Sequence, residues 1–93
     1  MHKKTAQAIA KTTSEVIGYG VLVTDECGII IGCNDEKRVG TLHEPSLEVM
    51  RTGQPALTSK EDAARLEGVK PGYTAPIALS AQVVGTISIA APP

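Results

Sequence analysis

The chain has 93 residues, a length that fits one domain with a modest hydrophobic core. Hydrophobic residues make up 42% and charged residues 20%, as in ordinary globular proteins, while aromatic residues reach only 2%. The net charge of −1 and the lack of a basic block longer than Lys3-Lys4 argue against direct nucleic-acid binding by this segment. Because aromatic platforms for stacking are nearly absent, we expect no nucleotide cofactor, and indeed no cofactor, and favour a small polar ligand.

The location of the protein and the state of its cysteines also follow from composition. No apolar run approaches membrane-spanning length, and the N-terminal basic pair lacks the apolar stretch of a secretory signal. We therefore expect a cytoplasmic protein with no membrane partner. Cys27 and Cys33 lie across a tight turn with poor geometry for a disulfide, which favours two free thiols, with a zinc or redox role as the alternative.

The C-terminal end of the sequence has the composition of a linker. Pro92-Pro93 follow directly on an apolar segment, and terminal prolines stop strand pairing. We therefore expect residues 1–93 to form a single domain taken from a longer protein.

The first predicted element is an amphipathic helix over residues 4–17, where apolar and small residues recur at helical spacing. Gln7 and the charged residues fall on its other faces. Gly18 and Gly20 end the helix. The predicted apolar face consists of Ala6, Ile9, Ala10, Thr13, Val16 and Ile17.

Two short segments rich in β-branched residues come next and predict a hairpin. Residues 19–24 form its first strand, and residues 25–28 have Asp first and Gly last, as type I turns favour. The three isoleucines at 29–31 indicate a second strand covered on both faces. We expect residues 32–35 to break that strand.

A helix is predicted in the middle of the chain, after a polar loop at residues 35–38 that ends at Gly40. Pro45 suits its first position, where the missing N–H is harmless, and Gly53 suits its end.

The segment that follows this helix is less regular. Residues 56–58 indicate a short strand, and residues 59–66 are ambiguous. Ser59 and Asp62 have the spacing of a capping box, which favours a short helix there.

A second hairpin closes the sequence. Pro71-Gly72 is a signal for a type II turn, and strands are predicted over 73–79 and 83–90 around a turn at 80–82. Gly85 permits close approach of either a ligand or a neighbouring backbone. The element order predicts an α/β (α+β) fold: a PAS-like antiparallel sheet of about five strands, with an N-terminal helix and a helical middle segment.

One polar cluster precedes the middle helix and predicts an anion site. Asp35, Arg38, Gly40, His43 and Glu44 lie directly before the helix start. A guanidinium binds a carboxylate with two parallel hydrogen bonds, and the free N–H groups and dipole of a helix N-terminus favour negative charge. The alternative is that Arg38 only pairs with a neighbouring acid on the surface.

A second cluster combines a cation, a glycine and a hydroxyl just before a strand. It contains Lys70, Gly72 and Thr74, and its alternative interpretation is a solvated loop lysine. Two cationic loops on one pocket would suit a ligand with two carboxylates. No catalytic motif with any specificity occurs, so we expect a binding domain rather than an enzyme.

The two clusters lie within motifs that resemble a known family. Residues 25–44 follow the pattern D-x-x-G-x-I-I-G-x-x-D-x-x-R-I-G-x-x-H-E, and residues 68–77 followed by 84–87 are similar to G-V-R-x-G-I-N-x-P-I and V-G-x-I. Both patterns are those of the sugar-diacid recognition domain of bacterial carbohydrate-diacid regulators. The resemblance covers nearly the whole chain in matching order and spacing.

The resemblance implies a sensor of glucarate, galactarate or a related acid such as glycerate. Arg38 and His43 would contact the ligand, Asp35 would order the loop, and Lys70 and Thr74 would line the opposite wall. In the family, DNA is bound by a C-terminal helix-turn-helix, which is absent from this chain. An amphipathic first helix often pairs with its copy, so a homodimer is expected, with packing on the chain's own sheet as the alternative.

This chain departs from the family pattern in the second motif. Lys70 replaces arginine, Tyr73 replaces an aliphatic residue and Thr74 replaces asparagine. These departures keep a second hypothesis open, in which the domain only dimerises and has lost its ligand. A third hypothesis makes His43 the acid–base group of an enzyme.

Overall fold

The structure is a computed structural model that describes residues 2–90, so the predicted linker at Pro92-Pro93 lies outside the described residues. Its elements in chain order are α1 (Lys3–Ile17), β1 (Val21–Thr24), β2 (Ile30–Cys33), a 3₁₀ turn (Glu36–Arg38), α2 (Glu44–Thr52), β3 (Ala56–Thr58), α3 (Lys60–Ala64), β4 (Gly72–Leu79) and β5 (Gln82–Ala90).

The five strands form one antiparallel sheet in the order β2-β1-β5-β4-β3. Strand β5 therefore lies in the centre, between the first strand of the domain and the strand of its own hairpin. Helix α1 packs across β1 and β2, and α2 packs against β3, β4 and β5. The predicted α/β (α+β) fold class is confirmed.

The two faces of the sheet differ in chemistry. Val21 pairs with Ile89 and Val23 with Ile87, and these side chains form an aliphatic core under α1. On the alternate positions Leu22 pairs with Ser88 and Thr24 with Thr86, and they face the opposite side. That second face buries several hydroxyls, namely Thr24, Ser46, Thr74, Thr86 and Ser88.

Helix α1 buries less of its apolar face than its periodicity predicts. Only Ala6 and Ala10 are fully buried, while Val16 is 80% exposed and Ile9 37%. Small residues on the inner face let the helix backbone approach the sheet closely, and the larger aliphatic side chains then point past the sheet. The small residues of the predicted face therefore pack on the sheet, while its larger members stay exposed.

The same close approach explains why strand β2 runs through Gly32, where the sequence predicts a break. A Cβ on Gly32 would lie 2.4 Å from the carbonyl oxygen of Ala6, so only glycine fits under the helix. Gln7 reinforces this contact, since its Nε2 donates to the Cys33 oxygen (2.8 Å) and its Oε1 accepts from the Cys33 nitrogen (3.0 Å). Gln7 lies outside the predicted apolar face, and its side-chain amide pairs with the backbone of β2 as a neighbouring strand would.

Of the two turns predicted in the C-terminal part of the chain, the one at Gly72 is wrong and the one at residues 80–82 is confirmed. Gly72 does not adopt the left-handed conformation that a type II turn requires, and a Cβ there would lie 2.3 Å from the Ile89 oxygen. It opens β4 instead and allows β5 to approach. The final hairpin turns on Ser80 and Ala81, both with positive φ, as in type I′ turns.

Three smaller expectations have clear outcomes. Helix α2 begins at Glu44, which places Pro45 second and not first, and it ends at Gly53 as predicted. Ser59 caps α3 by accepting from the Asp62 nitrogen, so the predicted short helix is confirmed. Gly85 permits close approach of the neighbouring backbone and not of a ligand, since a Cβ added there would lie 2.2 Å from the Thr24 oxygen.

Gly32→Ala should destabilise the fold by about 2–3 kcal/mol, because the added methyl overlaps the backbone of α1 and forces the helix away from the sheet. Gly20→Ala is the matched control, since its Cβ would meet side-chain atoms only at ordinary contact distances of 3.4 Å and more. Urea unfolding of both variants measures the difference. Equal midpoints for the two variants would contradict the close packing of α1 on β2.

Candidate functional site

A cavity opens at the end of the sheet where β1 begins and β5 ends, and where the loops before α2 and before β4 meet. Its walls come from both ends of the chain and from both predicted clusters. It is lined by Gly20, Val21, Leu22, Asn34, Asp35, Arg38, His43, Lys70, Ser88 and Ala90.

The first wall is the loop after β2, and two side chains fix its shape. Asn34 accepts from the Val21 nitrogen through Oδ1 (2.9 Å), which ties the end of β2 to the start of β1. Asp35 accepts from the Lys37 nitrogen (3.2 Å) and caps the 3₁₀ turn that presents Arg38. The predicted polar loop is therefore a short helical turn, and the carboxylate of Asp35 orders it.

The second wall is the loop before β4, which carries Lys70. Arg38 reaches across to this loop, and its Nη2 donates to the Gly68 oxygen (2.9 Å). The guanidinium therefore bonds to the opposite wall and makes no ion pair with Asp35 or Glu36, which was the alternative interpretation of the sequence.

Three predicted site residues lie behind the cavity wall. Gly40 donates its N–H to the Ile30 oxygen (2.8 Å) with φ of 91°, and it shapes the loop without lining the cavity. Gly72 lies next to Ala90 in the sheet. Thr74 is buried and shares a hydrogen bond with Ser88 (2.9 Å), so it touches the cavity only through that serine.

The N-terminus of α2 contributes less than the sequence predicts. Only His43, the residue before the helix, lines the cavity, while Glu44 and Pro45 do not. The nitrogen of Ser46 is already bonded to the His43 oxygen (3.0 Å). The helix start therefore supplies an imidazole to the cavity and no free N–H groups from these positions.

His43 is the buried polar group at the base of the cavity, with 3% of its surface exposed. Its Nδ1 lies 2.7 Å from Ser46 Oγ, and Ser46 Oγ lies 2.7 Å from Thr86 Oγ1. Thr86 Oγ1 lies 2.8 Å from Thr24 Oγ1, which donates to the Asp25 oxygen (3.0 Å). A continuous chain of hydroxyls thus links the cavity to the first turn of the sheet.

Burial and the neighbouring charge keep this imidazole neutral. Desolvation, and then the positive charge of Arg38, lower the pKa of His43 from 6.5 to about 4. At neutral pH the charged groups that line the cavity are therefore Arg38, Lys70 and Asp35, which leaves an excess of positive charge.

The cavity is narrow in the conformation described. Only about 20 Å³ within it admits the centre of a water molecule, room for about one water. By the same measure a groove of about 430 Å³ lies on the other side of Arg38, but Lys37 and Arg38 are matched there by Glu44 and Glu67. Because that groove carries no charge excess, the narrow cavity is the better anion site.

Sequence reasoning missed several residues of this site. The sequence places Asn34 in the predicted break at residues 32–35, Ser46 in the middle helix, and Thr86 and Ser88 in the last strand, and it predicts no role for any of them. The period-2 alternation of β5 already placed Thr86 and Ser88 on one face. Two hydroxyls on one face of a central strand are a signal for a buried polar network, because a purely structural strand favours apolar residues there.

The described part of the chain shows neither a metal site nor a membrane segment. Within residues 2–90, no group of three or more His, Cys, Asp or Glu side chains could hold a metal ion. Over the same residues, no helix has the length and apolarity to cross a membrane. Cys27 and Cys33 are both free, the first exposed and the second buried.

Comparison with known proteins identifies the family of this chain. The family model for sugar diacid recognition matches residues 1–93. The chain belongs to the sugar diacid recognition family. The resemblance of residues 25–44 and 68–87 to that family is therefore confirmed, and it covers the whole chain.

The relatives of this family member are longer proteins. It is 36% identical over 90 residues to the carbohydrate diacid regulator of Escherichia coli (strain K12), covering 97% of this chain and 23% of that protein. It is 29% identical over 88 residues to the uncharacterized protein YsfB of Bacillus subtilis (strain 168), covering 95% and 24%. The chain therefore spans about a quarter of the length of these relatives.

A solved structure shares the fold. The sensor domain of the V. cholerae histidine kinase DctB superposes with a TM-score of 0.66 at 18% identity, covering 94% of this chain and 36% of that one. At this identity the likeness concerns the fold alone. It agrees with the PAS-like sheet predicted from the element order.

The lowered pKa of His43 predicts that the fold loses stability in mild acid. His43 takes up a proton near pH 6.5 in the unfolded chain and only near pH 4 in the folded chain. The contribution of the neutral imidazole to the free energy of unfolding is therefore fully present above pH 6.5 and is lost as the pH falls towards 4. Between pH 7 and pH 5 this linkage removes about 2 kcal/mol.

Urea unfolding at pH 7 and pH 5 measures that loss, and His43→Asn is the matched variant. Asparagine can still donate to Ser46 but takes up no proton in this range, so its stability should change by about 2 kcal/mol less than that of the parent chain. The same pH dependence in both proteins would contradict a buried neutral His43.

Proposed function

We propose that this domain senses a sugar diacid or a related hydroxy acid, such as glucarate, galactarate or glycerate, as part of a transcriptional regulator. Arg38 and Lys70 would bind carboxylate, with His43 at the base of the pocket and Asp35 ordering the loop. Gly40, Gly72 and Thr74 would shape the walls from behind. The relatives' length supports a single sensing domain within a longer protein.

One observation carries this proposal. Arg38 and Lys70 come from segments about thirty residues apart and line the same cavity, in which Asp35 is the one acidic side chain of the lining. Two cations on one small cavity repel each other unless an anion is bound, and a guanidinium matches carboxylate geometry. Lys70 lacks that bidentate geometry, so it would act as a point charge on the second carboxylate.

The narrowness of the cavity suggests how binding would be communicated. A six-carbon diacid does not fit a space for one water, so the walls must part. The bond from Arg38 to the Gly68 oxygen holds them together, and a ligand carboxylate would compete for the same guanidinium. Ligand binding would thus shift an equilibrium between a closed and an open arrangement of the two loops.

The output of this shift would lie elsewhere in the regulator. We propose that DNA is bound by a C-terminal helix-turn-helix, as the family resemblance implies, and that the protein acts in the cytoplasm, where such an output meets DNA. The two relatives and the structural neighbour are a regulator, an uncharacterized protein and a sensor domain, which supports recognition over turnover.

A thermal-shift titration tests the sensing function. The panel contains glucarate, galactarate, tartrate and glycerate, each with its neutral sugar or polyol, at constant ionic strength. A ligand that binds only the folded state must raise the melting temperature once its concentration passes the dissociation constant. A rise with an acid and none with its neutral analogue is expected. No rise with any acid at millimolar concentration would favour a dimerisation module without a ligand.

Arg38→Ala should weaken binding of the active acid on the order of a hundredfold, because it removes a charge-assisted bidentate contact. Arg51→Ala is the matched control, since Arg51 lies on α2 in an exposed ion pair with Glu48 and does not line the cavity. Isothermal titration of both variants gives the ratio. Normal binding by Arg38→Ala would show that the pocket is assigned wrongly.

We also propose that the domain forms a homodimer through α1. Ile9, Val16 and Ile17 remain exposed on this helix after Ala6 and Ala10 have packed on the sheet. Ile9→Asp combined with Val16→Asp should convert the dimer to a monomer in sedimentation velocity, because it places charge in an apolar contact. A parent chain that sediments as a monomer would contradict the proposal.

A further inference from the structure

The hydroxyl chain behind the cavity has a fixed beginning and a fixed end. It begins at His43 Nδ1 and ends at the carbonyl oxygen of Asp25, passing through Ser46, Thr86 and Thr24. All four side chains are buried, with at most 3% of their surface exposed. Water therefore cannot supply an alternative partner to the links of this chain.

The carbonyl at the end of the hydroxyl chain determines which neighbour each hydroxyl in that chain donates to. A carbonyl oxygen only accepts, and the Asp25 oxygen accepts from the Gly28 nitrogen (3.1 Å) and from the Thr24 hydroxyl (3.0 Å), which uses the single hydroxyl proton of Thr24. Thr24 can then only accept from Thr86, and Thr86, having used its own proton, can only accept from Ser46.

The same rule then determines which ring nitrogen of His43 carries the proton. Ser46 has used its proton on Thr86, so His43 must carry a proton on Nδ1 and donate it to Ser46 Oγ. The reverse tautomer would turn all three hydroxyls around and leave Thr24 with no proton for the Asp25 oxygen at 3.0 Å. Burial and Arg38 keep the ring neutral, so Nε2 is a bare lone pair.

The lone pair on His43 Nε2 is open to the cavity. His43 lines the cavity, and no residue in the range 2–90 is hydrogen-bonded to its Nε2. Among the other neutral polar side chains of the lining, Asn34 Oδ1 already accepts from the Val21 nitrogen, so Asn34 offers the cavity only its donor Nδ2, and Ser88 shares a hydrogen bond with Thr74. The base of the cavity therefore offers one preorganised neutral acceptor beside two cations.

We propose that His43 Nε2, fixed as an acceptor by the buried hydroxyl chain, selects a carboxylic acid that carries a hydroxyl over the same acid without it. This inference rests on the proposed function of the pocket and adds the group that the pocket reads besides the carboxylates. A carboxylate oxygen has no proton to donate to Nε2, so His43 does not bind the ligand's charge. The ligand's hydroxyl donates to it, while Arg38 and Lys70 hold the carboxylates.

Thr86 is a positioning residue in this scheme, because it never touches the ligand. In Thr86→Val, Ser46 loses its acceptor and becomes free to donate to His43 Nδ1. The imidazole proton then moves to Nε2, and the acceptor in the cavity becomes a donor. Thr86→Ser keeps a hydroxyl in the chain and is the matched control.

The first measurement is a long-range ¹H–¹⁵N correlation spectrum of the imidazole ring in the ligand-free chain at pH 7.5, which identifies the protonated nitrogen. We expect the Nδ1–H form in the parent chain and in Thr86→Ser, and a shift to Nε2–H in Thr86→Val. The Nε2–H form in the parent chain overturns the proposal without reference to any ligand, and so does an unchanged tautomer in Thr86→Val.

The second measurement compares galactarate with adipate, which has the same length and the same two charges but no hydroxyls, by isothermal titration. The parent chain and Thr86→Ser should prefer galactarate on the order of tenfold to a hundredfold, because adipate leaves the acceptor unpaired. Thr86→Val should lose most of that preference, because an Nε2–H can donate to a carboxylate oxygen of either acid. Equal binding of both acids by the parent chain contradicts this inference alone, whereas no binding of either contradicts the proposed function as well.

Discussion

The buried hydroxyl network on one face of the sheet is the constraint to which the rest of this domain conforms. A hydroxyl without water must find both a donor and an acceptor within the protein, because an unmet buried polar group costs about 1–3 kcal/mol. Thr24, Thr86 and Ser46 satisfy one another only if β1, β5 and α2 keep their observed spacing. The network thereby fixes the distance between the sheet and the helix that carries His43.

The opposite face is held by a different principle. There α1 lies close to β2 because Ala6 and Gly32 are the residues at the contact and both are small. Gln7 adds hydrogen bonds to both the backbone N–H and the backbone C=O of Cys33. Aliphatic packing under α1 tolerates rearrangement more readily than a proton-ordered network does. The domain thus has a specified polar face, where the cavity lies, and an adaptable apolar face, where α1 leaves larger side chains exposed.

The cavity combines the two parts of this design. The two loops supply the long cationic side chains of Arg38 and Lys70, and the buried hydroxyl network supplies one acceptor that it holds in place. Arg38 bonds to the Gly68 oxygen and closes the space to about one water. The positive charge of the cavity would then select acids over neutral ligands. Among the acids, the fixed imidazole of His43 would select those that carry a hydroxyl.

Much of this architecture follows from local sequence. The two hairpins, the middle helix with its end at Gly53, and the capped helix at Ser59 were predicted because turn and cap chemistry depends on neighbouring residues alone. The strand through Gly32 and the role of Gly72 were not predicted. A glycine that permits close approach has the same sequence signal as one that makes a turn, and the element that approaches is distant in the chain.

Periodicity, motif and residue type predict the fold class, the family and the cationic residues of both clusters from the sequence alone. The folded structure was needed to show that Arg38 and Lys70 share one cavity and that Thr86 lies between Ser46 and Thr24. Those contacts join residues 30 to 62 positions apart, and no local propensity encodes such distances. The tautomer of His43 is the furthest consequence, because it depends on a carbonyl four hydrogen bonds away.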